Sequence, residues 1–244
     1  MSALLQVEGL SKRFGGVQAL NDVSFEVAEG EILGLMGANG AGKTTAFSLI
    51  AGNQRPSAGS IHLDGQRIDG LRPDRVSQLG IARTFQIVRP FGGMTVLENV
   101  TVAALYGRRR ISGFTEAEAL AREVLAEAHL ADRAELPAAS LTLAGRKRLE
   151  VARALATDPR ILLLDEVLAG LTASEVAEAL EIVREIHQRR GLTLVVIEHV
   201  MRALMRLCGR IVVLHHGQKI AEGPPQQVAE DPVVIEAYFG AAPA

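Results

Sequence analysis

Gly37-Ala38-Asn39-Gly40-Ala41-Gly42-Lys43-Thr44-Thr45, arriving directly after the apolar run Ile32-Leu33-Gly34-Leu35-Met36, is the stretch that decides the fold. It satisfies every specified position of the phosphate-loop pattern G-x-x-x-x-G-K-[ST]. Each of those positions has a physical task. The glycines let backbone N–H groups turn inward around phosphate oxygens, Lys43 brings a positive charge to the β- and γ-phosphates, and the Thr44 hydroxyl can ligate Mg²⁺. A strand before the loop and a helical stretch, Thr45–Ala51, after it are the context such a loop requires. The chain is therefore expected to bind a nucleoside triphosphate.

Composition narrows the remaining classes. The 244 residues, 48% of them hydrophobic, support one large buried core, and no apolar run reaches the ~20 residues that cross a bilayer. Met1-Ser2-Ala3-Leu4 lacks the charged and apolar regions of a signal peptide, so the chain is expected to stay in the cytoplasm. Cys208 is the single cysteine, which excludes an intrachain disulfide, a cysteine zinc site and a redox pair; it reads as a buried small apolar residue. The net charge of −2 gives no global attraction to nucleic acid or anionic lipid.

Outward from the loop, Leu4–Leu10 and Val23–Val27 alternate apolar with polar residues as half-buried strands do. Ser60-Ile61-His62-Leu63 with Asp64-Gly65 gives a further strand and hairpin turn. From about Phe91 to Glu150 the chain becomes rich in Ala, Leu and Glu at helical spacing, as in Thr115–Leu125, and reads as a helical insertion. Ile161–Leu164, Thr193–Ile197 and Ile211–Leu214 are short apolar runs separated by helical patterns, the mark of buried strands in a mainly parallel sheet. Pro224-Pro225 and Pro232 punctuate two short C-terminal helices. The fold class expected is α/β.

Ile161-Leu162-Leu163-Leu164-Asp165-Glu166 ends an apolar strand in two carboxylates, a Walker B pattern. Strands of a parallel sheet share one carboxyl edge, so Asp165 is expected to reach the Mg²⁺ held by Thr44 while Glu166 faces the attacking water. His199 follows the strand Thr193–Ile197 onto the same edge, where it can hydrogen-bond the γ-phosphate. Gln86, in Arg83-Thr84-Phe85-Gln86, has an amide able to meet both Mg²⁺ and water, and Phe14 can offer a flat face to adenine, although an aromatic between strands is ordinarily core.

The phosphate loop, Gln86, helical insertion, Asp165-Glu166 and His199 occur in the order and roughly the spacing of the ATP-binding subunits of ABC transporters, which the chain resembles over nearly its whole length. Arg83–Gln86, Gly93–Val100 and the ending Glu236-Ala237-Tyr238-Phe239-Gly240 look like the subunits of branched-chain amino acid (Liv-type) importers. The resemblance implies a P-loop ATPase core with an antiparallel β subdomain. It implies a core lobe of residues 1–90 and 156–244 and a helical signature lobe of 91–155. It also implies ATP and Mg²⁺ as ligands, and head-to-tail dimerisation with each ATP sandwiched between the phosphate loop of one copy and the signature loop of the other. Gln86 would sit at the hinge between lobes and Phe14 would stack on adenine. Partners would be two membrane-spanning permease subunits and, indirectly, an extracytoplasmic solute-binding protein, at the cytoplasmic face of the membrane. A non-transport ABC ATPase acting on nucleic acid or ribosomes, or a binding-only regulatory module, are the rival readings.

The signature loop departs from the family's L-S-G-G-Q. Counting back from Arg148–Leu155, its positions are Leu141-Thr142-Leu143-Ala144-Gly145; only Leu141 matches, Thr142 keeps a hydroxyl at a helix start, Ala144 adds a methyl and Gly145 removes an amide. A second register makes Gly145 the second glycine, with a deletion after it. Arg146-Lys147-Arg148 reads as a solvated basic helix start in preference to compensation for the lost contacts. Because each site borrows its signature from the other copy, an intact phosphate loop beside an altered signature predicts a heterodimer with a second ATPase subunit. Val167 stands where many relatives have proline, and Leu168–Thr172 would cross to the opposite site.

Overall fold

A computed structural model describes residues 3–85, 90–198 and 201–239. In chain order its elements are β1 (Ala3–Phe14), β2 (Val17–Ala28), β3 (Ile32–Met36), α1 (Lys43–Ile50), β4 (Ala58–Leu63), β5 (Gln66–Arg67), α2 (Pro73–Leu79), β6 (Ile81–Arg83), α3 (Val96–Leu105) and α4 (Phe114–Glu127). There follow α5 (Leu143–Ala156), β7 (Ile161–Asp165), α6 (Ala173–Arg190), β8 (Thr193–Ile197), α7 (Met201–Leu207), β9 (Arg210–His215), β10 (Gln218–Gly223), α8 (Pro225–Glu230) and α9 (Pro232–Phe239). They form two compact units, Met1–Pro73 with Thr193–Ala244, and Asp74–Leu192.

The first unit holds two β layers. β2, β1, β4 and β5 form an antiparallel sheet in that order. β1 and β2 run to the Gly15-Gly16 turn, where Phe14 pairs with Val17. The strands are thus longer than their alternating cores, and Phe14 closes β1. Asp64 and Gly65 both have positive φ, 50° and 74°, which turns β4 tightly into β5. In the second layer β3 pairs in parallel with β8 on one side and β9 on the other, and β10 adds antiparallel to β9. Leu33, Leu35, Val195, Ile197, Val212 and Val213 are buried because these short strands are covered on both faces. Phe47 and Ile50 of α1 are buried with them, which fixes the helix that the phosphate loop enters.

The second unit is mainly helical, with β6 and β7 as a parallel pair. Thr95 and Glu98 close a capping box at the start of α3, and Thr172 and Glu175 do so for α6, satisfying N–H groups that helix geometry leaves open. α3, α4 and α5 bury Val100, Val124, Leu125, Leu149 and Leu155 among themselves.

Candidate functional site

β3 delivers the chain into the phosphate loop at full burial, and two of the loop's glycines, Gly37 and Gly42, are there for want of space. A Cβ on Gly37 would lie 2.4 Å from the Leu214 carbonyl oxygen and 2.8 Å from the Ala41 Cβ; one on Gly42 would lie 2.6 Å from the Ala19 carbonyl oxygen and from Leu20 Cδ2. Gly42, at φ 104°, is the cap residue of α1, so the loop passes straight into a helix whose first N–H groups lie beyond the reach of intrahelical carbonyls. Gly217 N–H donates to the Ala41 carbonyl, 3.1 Å, tying the loop to the β9–β10 turn. The Lys43 side chain, only 5% exposed, curls back and donates to the carbonyls of Gly37, 2.6 Å, and Ala38, 3.0 Å. Asn39, Gly40 and Thr44 are exposed, and Thr45 is half-buried. The result is a cradle with a cation at its centre and N–H groups at its rim, suited to a polyphosphate.

Tyr238 joins this unit's site from the C-terminal helix. Burial pushes its phenol up to about 12, opposed by the Gly37 N–H that the phenolic oxygen accepts. The sequence carried Tyr238 only as part of a resemblance; nothing local marks an aromatic on α9 as a neighbour of a loop two hundred residues earlier.

In the second unit β7 ends at Asp165, which is 1% exposed. Its Oδ2 accepts from Arg83 Nη2 at 2.8 Å, and its N–H donates to Thr84 Oγ1 at 3.0 Å. Thr84 N–H in turn donates to the Leu163 carbonyl, 2.9 Å, so the strand after β6 stays in register with β7. Asp165 Oδ1 is buried and has no hydrogen-bond partner among the described residues. An orphaned carboxylate oxygen is costly unless a cation or water completes it, so this donor fits a Mg²⁺ site. Glu166 follows in the left-handed region at φ 50° and is 7% exposed. Its carbonyl accepts from Lys147 Nζ, 2.8 Å, and from Ala169 N–H, 3.2 Å. Glu150, two turns into α5, is pushed up by burial, against the lowering effects of Arg153 and of the Phe85 N–H that it accepts.

Thr142 is the cap of α5: its Oγ1 accepts from Gly145 N–H at 3.2 Å. This is the serine place of the register Leu141–Gly145; in the other register Leu143, a residue with no hydroxyl, would occupy it. Ala144 and Gly145 are buried, and a Cβ on Gly145 would press on Leu141 Cβ at 3.3 Å. The basic run that follows is solvated only in part: Arg146 is exposed and Arg148 half-buried, whereas Lys147 is buried, which departs from the expectation of a solvated helix start. Arg146 donates to the carbonyls of Leu141, 2.9 Å, and Ala139, 3.0 Å; Lys147 is buried on Glu166; and Arg148 pairs with Glu178 of α6. Three cations at the wrong end of a helix dipole are accommodated because each has an internal acceptor.

Phe14, expected as an adenine platform or a core aromatic, is 44% exposed beside the β1–β2 turn, with Lys12 Nζ 5.0 Å from its ring centroid. It is not core. Gln86 and His199 lie outside the described residues. Arg83 and Thr84 bind Asp165 and Lys147 binds the Glu166 backbone, roles that their motifs in the sequence did not announce, because a buried partner is defined by three-dimensional packing and leaves no spacing rule.

Comparison with known proteins agrees with these features. The ABC transporter family matches residues 20–169, and the family described as branched-chain amino acid ATP-binding cassette transporter matches residues 218–244. The chain is 38% identical to the high-affinity branched-chain amino acid transport ATP-binding protein BraF of Pseudomonas aeruginosa, over 98% of each chain. It is 40% identical, at the same coverage of both, to the corresponding protein LivG of Escherichia coli. A crystal structure of a nucleotide-free ATP-binding cassette from an ABC transporter superposes with TM-score 0.90 at 28% identity, covering 98% of this chain and 100% of that one.

Proposed function

Since the chain belongs to the ATP-binding subunits of ABC transporters, we propose that it is the ATP-hydrolysing subunit of a membrane importer for branched-chain or related amino acids. The observation that carries the finer reading is the C-terminal match at 218–244, which lies outside the general ATPase family match and belongs to a family named for those solutes. Residues 1–244 act as one ATPase domain, with a core lobe of 1–90 and 156–244 and a helical lobe of 91–155.

The catalytic reading assigns each side chain a task. The loop Gly37–Thr45, through its inward backbone N–H groups other than that of Gly37, and the Lys43 ammonium hold the β- and γ-phosphates and offset the charge that grows on them as the terminal phosphoryl leaves. Lys43 exchanges its loop carbonyls for phosphate oxygens when ATP enters. Thr44, Asp165 and Gln86 would hold Mg²⁺, which supplies charge neutralisation on the phosphates. Glu166 orients the attacking water and accepts its proton, and His199 donates to the γ-phosphate. Phe14 stacks on adenine. Thr142, Ala144 and Gly145 face the ATP of the partner subunit.

No amide follows Thr142 in the loop, where the family's pattern has a glutamine, so two copies of this chain make poor reciprocal sites. The partner is therefore a second, different ATPase subunit, and the pair docks on two permease subunits at the cytoplasmic face of the membrane. No helix of the described residues is long and apolar enough to cross a membrane, in keeping with a peripheral subunit. Identifying what co-purifies with the chain from detergent-solubilised membranes tests this. A permease pair and a second ATPase are expected; recovery with ribosomes or DNA would overturn the importer reading.

A further inference from the structure

We propose that Lys147 is a positioning residue for ATP hydrolysis: from the first turns of α5 it grips the backbone of Glu166 and so fixes the direction of the Glu166 carboxylate. This rests on Glu166 as the hydrolytic base.

A residue other than glycine at φ 50° occupies a sparsely populated region, and it stays there only where the surroundings over-determine it. Glu166 sits between two constraints. On its N-terminal side Asp165 is locked to Arg83 and Thr84. On its C-terminal side the carbonyl receives the Ala169 N–H, which begins the turn to Gly170, and the Lys147 ammonium. The ammonium is the stronger of the two donors, since an ionised donor roughly doubles the strength of a hydrogen bond, and its bond is the shorter, 2.8 Å against 3.2 Å. Lys147 and Glu166 are each only 7% exposed, so water does not compete freely for either group. The lysine stem runs along an apolar cavity lined by Ala128, Ala144, Val151, Val167 and Leu171, which leaves the ammonium few places to go.

Helix preference does not explain this lysine. A cation near the N-terminus of α5 opposes the helix dipole, and the neighbouring Arg146 and Arg148 add to the repulsion. Its position makes sense as a strut from the helix that carries the signature loop to the backbone of the base. Rotation about the Glu166 ψ angle is then limited from outside the residue, and with it the direction in which the side chain leaves the backbone.

The test is single-turnover ATP hydrolysis by the purified full-length chain with its partner subunits. Lys147→Met keeps the stem and deletes the donor. The expected result is a tenfold or greater fall in the hydrolysis rate at an unchanged KM for ATP, because the phosphate loop is untouched. In a Glu166→Gln background the same substitution should change the residual rate less than twofold, since no base remains to be aimed; a merely structural lysine would lower both backgrounds alike. Lys147→Gln, whose shorter arm stops short of the carbonyl, repeats both arms should the Met variant not fold. A native rate in Lys147→Met, or equal losses in the two backgrounds, overturns the proposal. Undiminished hydrolysis in Glu166→Gln alone would instead discard Glu166 as the base, whatever Lys147 does.

Discussion

Replacing Gly37 by alanine should damage nucleotide binding far more than the addition of one methyl group suggests. The new Cβ would lie 2.4 Å from the Leu214 carbonyl oxygen and 2.8 Å from the Ala41 Cβ. Both obstacles are fixed, one being main chain of a central strand and the other a methyl with no rotamer. Something must move by more than about half an ångström, and overpacking of that size costs about 1–3 kcal/mol. The empty loop can relax away from β9; the loop closed around a triphosphate cannot, so most of the cost falls on affinity. That corresponds to binding weakened about five- to a hundredfold. Two neighbours calibrate the effect. At Gly40 a Cβ meets nothing within 4 Å, but φ is +80°, so Gly40→Ala should cost only the left-handed backbone, about 1–2 kcal/mol. At Gly16 a Cβ also meets nothing within 4 Å, and Gly16→Ala should bind as the native chain does. Calorimetric titration with ATP, alongside thermal unfolding of each variant, separates affinity from stability. An affinity for Gly37→Ala within twofold of native would refute the steric reasoning, as would an equal loss in Gly16→Ala.

Two further outcomes follow from buried groups. Burial, aided by the Glu31 carboxylate, pushes the Cys208 thiol up to about 12 from 9.0, so the folded chain holds the neutral form while the unfolded chain ionises. Stability is then intact below pH 9 and is lost as pH rises from 9 towards 12. By pH 10 the loss is about 1.4 kcal/mol by linkage, and urea unfolding of Cys208→Ala should lack that slope; an identical slope in both chains would exclude the thiol as its source. Arg83 and Asp165 form a buried pair with side chains 9% and 1% exposed, so Arg83→Met strands a carboxylate. It should lower the unfolding free energy by about 3 kcal/mol, with part recovered on adding Asp165→Asn; an unchanged urea midpoint would contradict the pairing.

The parts of the fold that could be read in advance are those dictated by local chemistry. Ile32–Met36 into Gly37–Thr45, the apolar strands at Ile161, Thr193 and Ile211, the Asp64-Gly65 hairpin and the two proline-led C-terminal helices all carry their signals within a few residues. Shorter elements did not. β6 is only Ile81–Arg83 and becomes a strand because it pairs with β7; β10, Gln218–Gly223, is half exposed and has no apolar alternation to reveal it. Phe14 reads as lying between strands, whereas it is the last residue of β1, held in the ladder by Val17 across the turn. Arg146–Arg148 looked solvated because a charge run carries no record of its acceptors, which here are carbonyls and a carboxylate brought in by folding. The site divides the same way. Lys43 is announced by the loop that follows β3, and Asp165 and Glu166 by the end of β7, while Arg83, Lys147 and Tyr238 act through contacts formed only in the folded chain.

Glu166→Gln tests the central claim most directly. It is nearly isosteric, keeps the backbone that Lys147 holds and removes only the ability to accept a proton. With the assembled subunits, steady-state ATP hydrolysis should fall by at least a hundredfold, within the range that general-base catalysis supplies, while ATP stays bound and is retained through gel filtration. Hydrolysis at the native rate by this variant would contradict the account.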